Sequence, residues 1–310
     1  MATVINANQT GVTDGSMANM LSRVNCSVPI VIVSRTENFI FNDELLGLDK
    51  YILCDASEHG WNFKWEHGTP LFGKNFNDYK EHFWDGYNKF NQFVTDRQPL
   101  LYFKRELLKR DETKFYCPIE YPSWYANPDV GSKEEFNKRP IDAFYFWGRS
   151  HEERLRLHAR MWLAASEKGY SICDNVYYFE RFLAEEGGRK IVSLWIPHYG
   201  RMDIKEVLGR QALSKTSIAM PGAGLKTFRH CETTINSVMV CKEDDLAYSF
   251  PWVHNKNCIK FENFGEEIAA WEEAINNPLL YEIYLAGVET NKKYNINNYT
   301  KYLADKINAV

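Results

Sequence analysis

The chain has 310 residues, 45% of them hydrophobic and 25% charged, with a formal net charge of -4. That is the balance of a globular protein with room for two domains, and it argues against a surface built throughout for nucleic acid. The seven cysteines are widely spaced with no C-x-x-C pair, which disfavours a zinc site or a disulfide framework and fits reduced thiols. No signal-peptide pattern and no apolar run of membrane-span length is found, so the expectation is a cytoplasmic protein, in the host cytoplasm if the chain is viral.

Residues 1–27 are polar and weakly patterned. Pro29–Ser34 (PIVIVS) is the first apolar β-branched run, of the kind that forms a strand buried on both faces, and Lys50–Cys54 (KYILC) is the second. Between them NDELLGLD reads as a short helix, so the chain opens as strand, helix, strand. Residues 61–95 are rich in aromatics, Asn and Lys and read as part helix, part long loop. Pro99–Phe103 (PLLYF) is a further strand, followed by a basic stretch, Lys104–Lys114, that reads as an amphipathic solvated helix or as a grip for a phosphate-bearing acceptor. Four prolines from Pro118 to Pro140 exclude a long helix there and suggest an interdomain connection.

The second half alternates more cleanly. Strands are expected at Ile141–Trp147, Tyr170–Cys173, Lys190–Leu194, Thr216–Met220 and Ser237–Cys241, with helices at His151–Lys168, Asp203–Ser214 and Thr227–Asn236. Such an alternation implies a parallel, doubly wound sheet. Gly265–Val310 is mainly helical and polar. The expected fold is therefore α/β, with one domain over residues 1–137, a second over 138–265, and terminal helices over 266–310 that pack back on the first.

The segment Ser214–Val240, SKTSIAMPGAGLKTFRHCETTINSVMV, carries the strongest chemical signal. A strand delivers the chain to a Gly-rich turn and a helix follows, which aims backbone N–H groups at an anion. Gly222 and Gly224 permit close backbone approach, Lys226 and Arg229 add positive charge, and Glu232 is placed to accept hydrogen bonds from ribose hydroxyls. A Gly C-cap followed by an ordinary helix is the plainer alternative. Gly148, Arg149 and Ser150, after the strand at 141–147, form a second candidate anion loop, in which Ser150 also reads as a helix N-cap. His198 and Arg201 lie just beyond the expected strand at 190–194 and form a third. In the first half, Asp55, Glu58 and His59 (DASEH) follow a strand end and are candidates for a general base by position. No metal-binding motif is evident.

The segment around Glu232 resembles the nucleotide-sugar site of GT-B glycosyltransferases, including exostosin-like ones, and the length and layout are similar to those of small phage enzymes that glycosylate DNA. The resemblance implies two Rossmann-like domains facing across a cleft. It implies a UDP- or GDP-sugar as co-substrate, no other cofactor and no metal. The acceptor is a hydroxyl, either of a 5-hydroxymethylpyrimidine in DNA or of a glycan or lipid-linked glycan. The retaining-type E-x7-E pattern is absent, since Gly224 stands where its first Glu would be, so an inverting reaction is expected. A non-catalytic nucleotide- or sugar-binding module is the alternative from another class.

Overall fold

A computed structural model describes residues 1–7, 15–34, 39–40, 43–56, 80–126, 129–145, 152–174, 176–186, 189–199, 202–220, 229–263 and 265–310. The first sheet is built from β1 (Val4–Asn6), β2 (Ile30–Val33), β3 (Ile52–Asp55), β4 (Leu101–Lys104) and β5 (Tyr116–Pro118), in that spatial order, with every pair parallel. The apolar runs read from the sequence become strands because they can bury both faces. Ile30, Ile32, Ile52, Cys54, Leu101 and Phe103 pack in one core. Their alternate neighbours Val31, Val33, Leu53 and Tyr102 pack in another, as the two-residue period of a strand requires. The first face is covered by α1 (Gly15–Ser22), through Met17, Met20 and Leu21. The second is covered by α2 (Asp43–Leu46) and α3 (Lys80–Asp96), through Leu45, Phe90 and Phe93.

The basic stretch after β4 is not the solvated helix expected from its charge pattern. Lys104, Arg105, Glu106 and Leu107 are buried, and the helical part is one 3-10 turn, Lys109–Asp111. Inside the protein, Lys104 donates to Asp55 and Arg105 to the Tyr121 hydroxyl.

A short helix, α4 (Lys133–Asn137), leads into the second sheet with a capping box between Ser132 and Glu135. That sheet contains β6 (Ile141–Tyr145), joined through α5 (Glu152–Lys168) to β7 (Ile172–Asp174). Next come β8 (Val176–Glu186) and β9 (Arg189–Tyr199), which pair antiparallel with each other as a separate two-stranded sheet. The expected sheet strand at 190–194 is thus one arm of a hairpin. After α6 (Ile204–Ala212), N-capped by Asp203, the chain returns as β10 (Ser214–Ala219). It continues through α7 (Arg229–Thr233), β11 (Val238–Lys242) and β12 (Ile259–Phe261). The order in the second sheet is β12-β11-β10-β6-β7, all parallel.

Three helices end the chain: α8 (Glu267–Asn276), α9 (Leu280–Tyr294) and α10 (Ile296–Asn308). The expectation that this whole segment returns to the first domain is corrected in part. Trp271, Ala274, Ile283, Tyr284 and Val288 of α8 and α9 pack with Ala143, Ile218 and Val240 of the second sheet. From Tyr294 onward, Tyr299, Leu303, Ala304 and Ile307 pack with Ile30, Ile52 and Leu101 of the first. No helix among the described residues is long and apolar enough to cross a membrane.

Candidate functional site

The second sheet reverses its order beside β6. The chain first steps from β6 to β7 on one side, and later places β10 on the other. In open parallel sheets the crevice at such a reversal, beyond the carboxyl ends of the strands, is where ligands bind. β6 and β10 are in parallel register, Phe144 beside Ser217, so the chain leaves both at the same edge, after Tyr145 and Ala219 respectively. The segments that follow, with Gly148, Arg149, Ser150, Gly222, Gly224 and Lys226, lie outside the described residues. At the adjacent strand, Tyr145 donates its hydroxyl to Asp174 at the end of β7 (3.2 Å). The hairpin that starts there at Val176 returns to it at Tyr199. His198 is inside β9, opposite Tyr178, rather than in a loop beyond a strand, and Arg201 lies outside the described residues.

Glu232 is carried on α7, whose carbonyls are tied down on every side. Asn291 of α9, fully buried, donates its Nδ2 to the Cys231 carbonyl and to Thr234 Oγ1. Thr234 Oγ1 donates to the His230 carbonyl (2.8 Å), and Ser237 Oγ donates to the Thr233 carbonyl (2.9 Å). These side chains satisfy the carbonyls that a helix end leaves open. The described part of α7 is Arg229–Thr233.

Glu232 opens onto a cleft of about 340 Å³, whose other lining residues are Cys231, Ser16 near the start of α1, and the five-residue segment Tyr121–Tyr125. The two sides of this cleft come from different domains, and the interdomain connection itself is one wall. Its backbone is fixed: Ser123 N–H donates to the Tyr294 carbonyl (2.8 Å) and the Ser123 carbonyl accepts from Ile296 N–H (2.9 Å). The two chain crossings between the domains, near residues 123 and 295, therefore run side by side, in a parallel bridge. Cys231 Sγ donates to the Tyr121 carbonyl (3.4 Å), tying α7 to the same wall. Burial, and then the carboxylates of Glu232 and Asp203, raise the Tyr125 phenol above its ordinary value, so at neutral pH its hydroxyl is a donor. Ser16 and the aromatic wall were not singled out from the sequence. The available signal was the density of rings in EYPSWY at an expected domain junction.

On the first domain's side, Asp55 ends β3 and is fully buried. Its Oδ2 accepts from Lys104 Nζ (2.5 Å) and from Tyr102 OH (2.9 Å), and Lys104 is its register partner on β4. A carboxylate so enclosed and so paired is engaged in holding the strand ends together. Glu58 and His59 lie outside the described residues. Among the described residues no group of three or more His, Cys, Asp and Glu could hold a metal ion.

Two parallel sheets covered by helices, with two adjacent chain crossings between them, define an α/β fold of two sheets with a cleft beside the crossings. No protein-family model matches the chain, and no curated protein matches it in sequence. Among solved structures it is similar to the glycotransferase of kitacinnamycin (TM-score 0.44, 11% identity, 93% of this chain and 76% of that one). It is also similar to the GtfA/B complex (TM-score 0.49, 13% identity, 92% and 58%) and to TarM (TM-score 0.49, 10% identity, 91% and 54%). The chain spans little more than half the length of the latter two. At such identities no residue role passes from them to this chain.

Proposed function

We propose that the chain is a glycosyltransferase that takes a sugar from a nucleoside-diphosphate sugar and passes it to an acceptor hydroxyl, with inversion and without a metal ion. The observation that carries this reading is the position of Glu232. It is a half-exposed carboxylate on α7, the helix that follows β10, and it lines a cleft together with Ser16 and residues 121–125. A carboxylate there accepts the ribose hydroxyls of the donor. Backbone N–H groups at Gly222 and Gly224, together with Arg149, Ser150, Lys226, Arg229 and Arg201, would hold the diphosphate and stabilise the charge that develops on it as the anomeric bond breaks. His198 is assigned to the same end of the site.

The base that removes the acceptor proton is assigned to the segment after β3. With Asp55 paired to Lys104, Glu58 and His59 are the better candidates. Of the two acceptor classes, a 5-hydroxymethylpyrimidine in DNA and a glycan, one observation favours the glycan. Lys104 and Arg105, which a DNA backbone would need on the surface, are buried, and Lys109 is already engaged by Glu243 and the Asp244 carbonyl.

A thermal-shift series with UDP, GDP and their sugars tests the donor. A ligand held at a hundred times its Kd adds about 2.7 kcal/mol of stability, a shift of several degrees. If none of them moves the midpoint at millimolar concentration, the reading fails. Release of nucleoside diphosphate in the presence of hydroxymethylated DNA or a glycan panel then separates the acceptors, and binding without release would indicate a non-catalytic module.

A further inference from the structure

We infer that the connection between β11 and β12, residues 243–258, is an interdomain clasp that holds the cleft beside Glu232 at one width, so that ligand enters without one domain closing on the other. Neighbouring parallel strands are ordinarily joined by a helix that crosses back over their own sheet. β11 and β12 are such neighbours, Val240 beside Ile259, yet residues 243–258 hold no helix. The chain instead leaves the second domain, and Leu246 forms an antiparallel bridge with Leu108, shortly after β4 of the first. Both backbone bonds of the bridge are made at 2.7 Å, from Lys109 N–H to the Asp245 carbonyl and from Ala247 N–H to the Leu107 carbonyl. Lys109 Nζ adds a bond to the Asp244 carbonyl (3.0 Å) and an ion pair with Glu243 (3.6 Å).

The clasp continues toward the cleft. Ser249 N–H donates to Glu120 Oε1 (3.2 Å) and Ser249 Oγ to the Pro118 carbonyl (3.3 Å), at the residues that run into the Tyr121–Tyr125 wall. Phe250 makes two bonds with the Tyr294 hydroxyl, donating its N–H (3.0 Å) and accepting at its carbonyl (2.8 Å). The apolar side chains follow the same course. Leu246 and Ala247 are buried, and Cys241, Trp252 and Cys258 belong to one core with Ile30, Ile52 and Leu101 of the first sheet. Two domains that meet through a small polar interface move relative to each other by default, and a shared apolar core removes that freedom. Swinging the domains apart would break the paired backbone bonds at Leu246 and open the core around Trp252 to water. The other side of the cleft is tied to the same frame, since Cys231 Sγ bonds the Tyr121 carbonyl (3.4 Å). The distance from the linker to α7 is therefore set by the fold before ligand arrives.

Spin labels introduced through Glu44→Cys on α2 and Glu273→Cys on α8, both exposed positions, report the interdomain distance by double electron–electron resonance. The half-buried Cys26 and Cys173 are replaced by serine to keep labelling specific. The expected result is a single narrow distance in the free protein that moves by less than about 1 Å when UDP, GDP or a nucleotide-sugar is added at millimolar concentration, where hinge closure would move it by more than about 2 Å. A broad or two-peaked distribution without ligand, or a shift of the larger size with it, overturns the inference. If no nucleotide shifts the melting temperature, the glycosyl-transfer reading fails alone, and the distribution in the free protein still decides the clasp. Amide exchange needs no variant: the N–H groups of Lys109 and Ala247 should exchange as slowly as those of β3, and faster exchange would show that the bridge opens by itself, which also overturns the inference. Lys109→Ala, which removes the side-chain ties, and Ala247→Pro, which removes one donor of the bridge, should each broaden the distance distribution. A folded Ala247→Pro chain with the wild-type distribution would show that the clasp does not set the width. Neither the wild-type distance nor the exchange rates depend on that variant folding.

Discussion

Tyr299, on α10, donates its hydroxyl to Glu120 Oε2 at 2.7 Å, joining the last helix to a carboxylate at the start of the interdomain linker. Both groups are buried, and the same hydroxyl also accepts from the Glu120 N–H (2.9 Å) and meets Ser249 Oγ (3.1 Å). Tyr299→Phe leaves the ring packing in place but removes a charge-assisted bond inside the protein, at a cost of about 1.5–3 kcal/mol. The urea midpoint should fall accordingly with little change in the slope of the transition.

Alkali should weaken the fold through the same region. Burial above all raises the phenols of Tyr248, Tyr294 and Tyr299 well above pH 10, and the carboxylate of Glu120 or Asp244 raises each further. These groups lose protons more readily in the unfolded chain than in the native one. Their contribution to stability is therefore complete below about pH 10 and is lost as pH rises above it. Each adds a slope of about 1.4 kcal/mol per pH unit. Unfolding free energies measured between pH 9 and 11 should show this fall, and Tyr294→Phe should reduce the slope by one tyrosine's share.

The pair Asp55–Lys104 separates a structural from a catalytic carboxylate. Removing one member leaves a buried charge uncompensated, so Asp55→Ala and Lys104→Met should each cost about 3–5 kcal/mol, whereas replacing both with apolar residues should cost much less than the sum. A double-mutant cycle in urea reads this coupling. If Asp55→Asn instead folds with wild-type stability and abolishes transfer, Asp55 is a base after all.

Much of the architecture can be read in the chain because short apolar β-branched runs have few alternatives to a doubly buried strand. PIVIVS, KYILC, IDAFY and TSIAM all supply interior strands of the two sheets. β1, with three residues in a polar context, offers no such run and gains its place from pairing with β2. The hairpin β8–β9 carries its own signal in the chain: two glycines, Gly187 and Gly188, separate Glu186 from Arg189, which face each other in the register, and Gly-Gly between strand-like runs marks a hairpin. Burial of Lys104 and Arg105 could not be read, since charge suggests solvent until the partners, Asp55 and Tyr121, are brought near by the fold. The cleft divides in the same way. Glu232 is found from its local pattern, while the wall opposite it depends on the chain crossing at Ser123 and Asn295, which are far apart in sequence.

Glu232 should matter for affinity and little for stability, because it lies on the cleft rather than in the core. Glu232→Gln is expected to weaken binding of the preferred nucleoside diphosphate roughly tenfold or more, the value of a hydrogen bond to a charged group. The wild type should lose a similar factor when the ribonucleotide is replaced by its 2′-deoxy analogue, and the variant should not discriminate between the two. Asn291→Ala, which releases the Cys231 carbonyl and Thr234, should lower both stability and affinity. That double effect distinguishes a residue that positions Glu232 from one that touches the ligand.

Gly287 sets two opposing effects against each other. It lies within α9, where alanine is a better helix former by about 1 kcal/mol. A Cβ built there would stand 2.9 Å from the Asn257 carbonyl oxygen and 4.0 Å from Thr234 Cγ2. The carbonyl has little freedom to withdraw. Asn257 is held by its side chain to the Pro251 carbonyl (3.0 Å), Thr290 Oγ1 (2.9 Å) and Val253 N–H (2.6 Å), and by its own N–H to the Val253 carbonyl (3.1 Å). Overpacking against a fixed backbone costs about 1–3 kcal/mol, so the steric effect should win and Gly287→Ala should lower the melting temperature. Because α9 carries Asn291 one turn further along, displacement of the helix should also disturb α7 and weaken nucleotide binding. A variant more stable than wild type would mean that residues 251–257 yield to the added methyl group, and that the close approach of α9 to this loop is not required for the fold.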